Sequence, residues 1–252
     1  MSSRKILVTG SSRGIGRAVA EAFAAAGDTV AIHHRDSPDL AAEVLAGLPG
    51  GGHVVVQADI ANAQATRAMV DAAADQLGGL DVLVNNAASY GRAAHPIDEI
   101  SYEQWQEVWQ STIGLNLIGA ANVTWCAVQH MIAGGGGRIV NVSSRGAFRG
   151  EPGQPAYGAS KAGLNALGQS LAVALAPHNI TVAAVAPGFV QTDMAAAHLQ
   201  GERGDAIRAQ SPFGRVARPE EIAAAVLYLA SPEAEWASGA ILDLNGASYL
   251  RT

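Results

Sequence analysis

The sequence predicts a doubly wound α/β fold, a seven-stranded parallel sheet with helices on both faces, in a single domain. Two observations carry this reading. Strand-like and helix-like segments alternate along the whole chain, and the strands are near-continuous apolar runs, as expected when helices cover both faces of a parallel sheet. No linker or charge run divides the alternation.

The elements follow in order. Residues 6–9 form a buried strand, and residues 14–26 a helix that Gly27 ends. Residues 29–33 are the second strand. A helix over 39–48 is stopped by Pro49 and three glycines. Residues 53–57 are strand three, 63–77 a helix ended by Gly78-Gly79, and 80–84 strand four. A long helix runs from Ser101 to about 132, with Ser101 as its N-cap and the run 134–137 as terminator. Residues 138–142 are strand five, 155–176 another long helix, and 180–185 strand six. Pro219 opens a helix through 230, as proline does at a first helical position. Residues 241–244 are the last strand. Residues 189–214 break the rhythm and are expected to form a lid over substrate.

Composition narrows the function. The chain has 252 residues, 49% apolar and 15% charged, which excludes a disordered chain and allows a sizeable core. A net charge of -6 leaves no global basic field for nucleic acid. The single cysteine, Cys126, excludes an intrachain disulfide and fits a reducing compartment. No uninterrupted apolar stretch approaches the ~20 residues of a membrane span. The N-terminal strand is too short for a signal-peptide core. A cytoplasmic protein with no membrane, nucleic-acid or metal partner is expected.

Five groups of residues could carry chemistry. Thr9-Gly10-Ser11-Ser12-Arg13-Gly14-Ile15-Gly16 joins the first strand to the first helix. Glycines there permit a tight turn and a close approach of pyrophosphate to helix N-terminal amides. The spacing is Gly-x-x-x-Gly-x-Gly, and only its place after the first strand makes it specific. Tyr157 and Lys161 stand four residues apart and share a helix face. A tyrosine is ordinarily a core residue, and a phenol is a poor acid–base at neutral pH unless an ammonium stabilises its anion. Only two lysines, Lys5 and Lys161, occur in the chain, so this one stands out among the arginines. Ser143-Ser144 and Asn85-Asn86-Ala87-Ala88 follow strands at the edge where parallel sheets bind ligands, although both also suit ordinary turns. Asn116 lies inside a helix and either faces solvent or bonds backbone.

The ordered set resembles the short-chain dehydrogenase/reductases over nearly the whole length. It comprises Thr9-Gly10-x-x-x-Gly14-x-Gly16, Asp59, Asn85-Asn86-Ala87, Asn116, Ser144, Tyr157-x-x-x-Lys161 and Pro187-Gly188. Ala88, and Asn245-Gly246-Ala247 near the end, depart from the glycines usual there. The resemblance implies a Rossmann-like fold and hydride transfer between NADP(H) and a carbonyl or secondary alcohol. It implies that Tyr157 is the proton donor, with its pKa lowered by Lys161, and that Ser144 bonds the carbonyl oxygen. Asn116 would distort its helix and anchor a water that relays protons to Lys161. The cofactor would be held by Gly10, Ser12, Arg13, Gly14, Ile15, Gly16, Arg35, Asp59, Ile60, Asn86, Ala87, Pro187, Gly188, Val190 and Thr192, with Tyr157 and Lys161. Asp59 would take the adenine, and Thr192 the carboxamide.

At the end of strand two, His34 stands at the acidic position of NAD enzymes, with Arg35 beside it. Arg13 and Arg35 would grip a 2′-phosphate, and Asp36 falls one or two residues too late to hold a ribose. The nearest subfamily resemblance is to 3-oxoacyl-[acyl-carrier-protein] reductases, which makes the carrier protein an alternative partner. Gly135 and His178 stand where those reductases place arginines, so a small carbonyl or alcohol substrate is expected instead. Arg145 and Arg149 lie near the expected mouth, and Arg145 is suited to a substrate carboxylate or phosphate. A cofactor-sensing regulator without turnover is the rival from another class. The two long helices, with Trp105, Trp109 and Trp125, are expected to pair in a homotetramer.

Overall fold

The computed structural model describes residues 3–90, 94–196 and 199–251. Its seven strands form one sheet in the order β3-β2-β1-β4-β5-β6-β7, and all are parallel. They are β1 Lys5–Val8, β2 Thr29–His34, β3 Val54–Gln57, β4 Val82–Asn85, β5 Gly137–Val142, β6 Ile180–Pro187 and β7 Ile241–Leu244. The connecting helices are α1 Gly14–Ala25, α2 Pro38–Gly47, α3 Ala63–Leu77, α4 Tyr102–Ile113, α5 Ala120–Ala133, α6 Gly146–Arg149, α7 Pro155–Leu175, α8 Asp193–Ala196, α9 Gly201–Arg208 and α10 Pro219–Leu229.

Strand side chains alternate between two apolar layers, as the pleat requires. Ile6 and Val8 of β1 face α1, α2 and α10, where Phe23 and Ile222 are buried. Leu7 faces the opposite layer, where α3, α5 and α7 bury Met69, Met131 and Leu175. Local chemistry marks the helix ends. Asn62 caps α3 by accepting from the Gln64 and Ala65 amides, and Ser101 and Gln104 form a reciprocal capping box on α4.

The expected long helix is continuous from Tyr102 to Ala133, but one turn is π-helical, Gly114–Gly119. By length and a mean hydropathy of 1.2 over 18 residues, this helix is apolar enough to cross a membrane, although polar residues such as Asn116 and Thr124 interrupt its apolar run. Half of that window is buried within the protein, as for a core helix lying on the sheet.

The strand order reverses between β1 and β4. In doubly wound sheets such a switch point opens a crevice beyond the carboxyl ends of the strands. The glycine turn leaves β1 at this crevice, and Asn85-Asn86 leave β4 beside it.

Candidate active site

A cleft of about 550 Å³ occupies the crevice. Of the residues the resemblance assigns to catalysis or to holding the cofactor, all line it except Gly16 and Asn116; Thr9, Ser11, Asn85 and Arg149 do not line it either.

One end is built from backbone. Gly10 adopts a left-handed conformation, φ 65°, which glycine takes without steric cost. A side chain at Gly16 would place its Cβ 2.3 Å from the Gly10 carbonyl oxygen and 2.5 Å from Asn86 Nδ2. Glycine is therefore required for the turn to fold onto α1. The Asn86 amide donates to the Thr9 and Gly10 carbonyls at 2.9 and 3.0 Å, which fixes the β4 loop to the turn. His33 holds the turn from β2: its Nδ1 accepts from the Gly10 amide at 2.9 Å, and Nε2 faces the Ala58 carbonyl at 3.1 Å. That pattern fits the neutral ring protonated on Nε2. Burial depresses the His33 pKa to about 4. α1 begins at Arg13 with no side-chain cap and no acidic residue in its first turn, so its amides and positive dipole end suit an anion.

At the rim, Arg35 and Asp36 both line the cleft and pair at 2.8 Å. Asp36 thus lines the rim as the ion-pair partner of Arg35. His34 is buried and accepts from the Ser37 amide. Asp59 lines the cleft, with one carboxylate oxygen accepting from the Ala61 amide.

The other end is built from side chains. Tyr157 and Lys161, one turn apart on α7, line the cleft with Ser144 at the end of β5. Lys161 is 2% exposed, and its ammonium donates to the Val142 carbonyl at 2.8 Å. The ammonium lies 5.8 Å from the Tyr157 ring centre. Burial pulls the Lys161 pKa down to about 8. Tyr157 is held well above the ordinary phenol value, first by burial and then by its neighbour Tyr90, while a hydrogen bond with Ser144 works the other way. This corrects the expectation of a tyrosine made acidic by the lysine. In this environment desolvation wins, and Tyr157 is a protonated phenol at neutral pH.

Asn116 is buried in the π-helical turn. Its Oδ1 accepts from the Ser89 amide at 2.8 Å, and its Nδ2 donates to the Ser89 carbonyl and to Ser160 Oγ. It bonds backbone, one of its two sequence-level alternatives, in the loop after β4. A π turn inserts an extra residue into the helix and is common at functional sites. The helix is distorted at Asn116, as the resemblance implied.

The sequence reading passed over Tyr90, Glu151, Gln154 and Arg203, all of which line the cleft. The Tyr90 ring lies 4.3 Å from that of Tyr157, centre to centre. An aromatic side chain so soon after Asn85-Asn86-Ala87 was the available signal. Ala247, at a position where glycine was expected, adopts φ 57°, a conformation costing a residue with a side chain about 1–2 kcal/mol.

The segment 189–214 borders this end. Phe189, Val190, Thr192, Ala195 and Arg203 face the cleft, and Val190 pairs with Ala217 as an isolated bridge. Trp105 and Trp109 pack on each other at 5.3 Å and are half-buried, whereas Trp125 is 58% exposed. Only the last therefore presents a free outer face.

Relatives share this architecture from end to end. A family model described as enoyl-(acyl carrier protein) reductase matches residues 10–246. A 3-oxoacyl-[acyl-carrier-protein] reductase of Aquifex aeolicus is 38% identical, with 96% of each chain covered. An uncharacterised oxidoreductase of Methylorubrum extorquens is 37% identical, with 95% of each covered. A short-chain dehydrogenase from Burkholderia cenocepacia, solved in complex with NADP, superposes with a TM-score of 0.88 at 35% identity, with 97% of each chain covered. The glycine turn, the switch-point cleft and the Tyr157/Lys161 wall thus occur in a chain whose relatives match along nearly their full length, and the protein belongs to the short-chain dehydrogenase/reductase family of oxidoreductases.

Proposed function

We propose that this protein is an NADP(H)-dependent reductase of small carbonyl compounds, acting in reverse on secondary alcohols. The observation that carries this is the facing of a backbone anion cradle and a Ser144/Tyr157/Lys161 wall across one cleft. The cradle fits a dinucleotide: its helix start is uncapped, and Gly16 leaves no side chain between the turn and its support. Gly10, Ser12, Gly14 and Ile15 would hold the pyrophosphate, Asp59 and Ile60 the adenine end, and Thr192 with the Pro187–Val190 stretch the nicotinamide end. When bound, the nicotinamide supplies or takes the hydride.

Ser144 and Tyr157 are hydroxyls in mutual contact, so both reach one acceptor atom. That suits a carbonyl oxygen, which has lone pairs, better than a carbon–carbon double bond. Tyr157, kept protonated by burial, gives its proton to that oxygen during reduction. The Lys161 charge favours the phenolate left behind. Asn116 positions the Ser89 loop and Ser160, one residue before Lys161, without touching substrate. The segment 189–214 covers the substrate end.

Arg13 and Arg35, both lining the rim, would hold a 2′-phosphate. The Arg35–Asp36 pair is exposed, and such pairs contribute only about 0–1 kcal/mol, so a phosphate dianion can displace it. NADPH is therefore preferred over NADH in kcat/KM, and Arg35→Ala reduces the preference by about tenfold. A ratio favouring NADH would contradict the assignment. The Aquifex relative makes a carrier-protein thioester the alternative substrate. We favour a small carbonyl because Gly135 and His178 supply no fixed positive charge for an acidic partner. The exposed Ile118, Trp125 and Val173 on the long helices support a homotetramer, to be tested by light scattering.

The reading is tested by Tyr157→Phe. The ring still packs against Tyr90, but the proton donor is gone. kcat should fall by about 100-fold or more while NADPH affinity stays nearly unchanged. A folded variant that keeps more than about a tenth of kcat would refute it.

A further inference from the structure

Arg145 is 4% exposed, yet every group it bonds is neutral. Its Nη2 donates to Gln210 Oε1 at 2.6 Å, its Nη1 donates to Ser248 Oγ, and its guanidinium carbon stands 5.0 Å from the Phe189 ring centre. Among the described residues, no carboxylate forms an ion pair with it. Buried charges are ordinarily paired, because a desolvated charge without a partner is costly. The guanidinium carries five N–H donors, and the bonds above use two. Burial, with the charge of Arg149, also lowers its pKa, while Glu151 works the other way without forming an ion pair.

The position of Arg145 indicates where a counter-charge would come from. It follows Ser144 directly and lines the same cleft as Ser144 and Tyr157. It also borders a second cavity of about 360 Å³, whose other charged residues are already paired, Glu221 with Arg215 and Asp243 with Arg251. On the cleft side, at the Tyr157 end, stand two further cations, Lys161 and Arg203, and one carboxylate, Glu151. That balance suits an anionic substrate group.

We propose that Arg145 binds the carboxylate of an oxo-acid substrate, or of the matching hydroxy acid, and so sets the carbonyl against Ser144 and Tyr157. The inference rests on reading the cleft as a carbonyl-reductase site, and it names the substrate class. A planar fork is the side chain suited to a carboxylate, because it can donate two parallel hydrogen bonds.

The test uses pyruvate, acetoacetate and levulinate, each paired with its methyl ester, with NADPH as reductant. At one chain length the acid should exceed its ester at least tenfold in kcat/KM. Arg145→Met should reduce that acid-to-ester ratio by about 10- to 100-fold, the scale of a hydrogen bond to a charged group. Calorimetric titration of the preferred acid into protein saturated with NADP⁺ should lose its signal in the same variant. Arg145→Lys, which keeps the charge without the fork, should fall between. Gln210→Ala separates binding from bracing, since it removes a neutral partner and should preserve the ratio.

Several outcomes would overturn the inference. One is that esters equal or exceed acids at every length in the wild type, and another is that Arg145→Met and Arg145→Lys lower acid and ester alike. An enzyme that binds NADPH but reduces no acid of the series overturns it too. Failure to bind NADPH at all would instead overturn the parent reading.

Discussion

At the end of the cleft formed by Gly10 to Gly16, the chain presents backbone amides to a ligand. At the end formed by Tyr90, Arg145, Tyr157 and Phe189, it presents side chains. The first end is made by adjacent residues, and its shape depends on what glycine permits. The second is assembled from β4, β5, α7 and the 189–214 segment, and its properties depend on burial. Desolvation raises the Tyr157 pKa and lowers that of Lys161 there, and Arg145 is buried among neutral hydrogen-bond partners. The difference teaches that one fold can keep a fixed grip on a common cofactor while varying the far wall for a particular substrate.

The largest expected effect breaks the first end. Gly16→Ala forces the Gly10 carbonyl and Asn86 outward, since the added Cβ would lie 2.3 Å from that oxygen. Displacements near 1 Å in a binding constellation cost about 100-fold. NADPH affinity, measured by fluorescence titration, should fall on that scale. Gly47→Ala, where a Cβ meets nothing within 4 Å, is the control and should leave affinity unchanged. Equal behaviour of the two variants would show that backbone packing does not make the cradle.

A second prediction sharpens the comparison, because His33 is a side chain serving the backbone end. Its folded pKa is about 4, below the unfolded 6.5. Between those values the unfolded chain binds more protons, so stability rises with pH across that window. The contribution is complete above pH 6.5 and is lost as pH falls toward 4; it amounts to about 3 kcal/mol. Urea unfolding at pH 7 and pH 4.5 should show a smaller acid loss in His33→Gln than in the wild type. An equal loss would mean that the ring is not held neutral by the turn.

The smallest effect probes the side-chain end. Tyr90 raises the Tyr157 pKa through its nearby phenol and hydroxyl contact, although burial contributes more. Tyr90→Phe keeps the ring stack and removes the hydroxyl. The alkaline limb of the reduction rate should move to lower pH, with kcat changed only a few-fold on the scale of one hydrogen bond. A purely packing role for Tyr90 predicts no movement of that limb.

The two ends also differed in how far they could be read from sequence. The alternation of apolar strands with helices, Pro219 at a helix start and Ser101 at an N-cap are local signals, and the elements they mark appear within a few residues of expectation. The glycine turn, Asn86 and the Tyr157/Lys161 spacing are local too. Tyr90 offered only its place after Asn85-Asn86-Ala87, because its importance comes from stacking on a residue 67 positions away in the chain. The neutral surroundings of Arg145 come from Gln210 and Ser248, which no spacing rule links to it. The raised pKa of Tyr157 was missed because a nearby ammonium is visible in a sequence and burial is not. The resemblance implied a distorted helix at Asn116, but not its contacts with Ser89 and Ser160, which form only when α4, α5, α7 and the β4 loop meet.

The most direct test of the central claim follows the hydrogen itself. The wild-type protein is incubated with NADPH carrying deuterium at C4 of the nicotinamide, on the transferred face, and with acetoacetate or its methyl ester. The alcohol product is then examined by mass spectrometry and proton NMR. The account predicts one deuterium per product molecule, on the carbinol carbon, with NADP⁺ formed in equal amount. Because the face used is unknown, both C4-labelled forms are run, and one of them must give this result. An alcohol without deuterium from either form, or NADPH consumed without alcohol, would contradict hydride transfer as the function of this cleft.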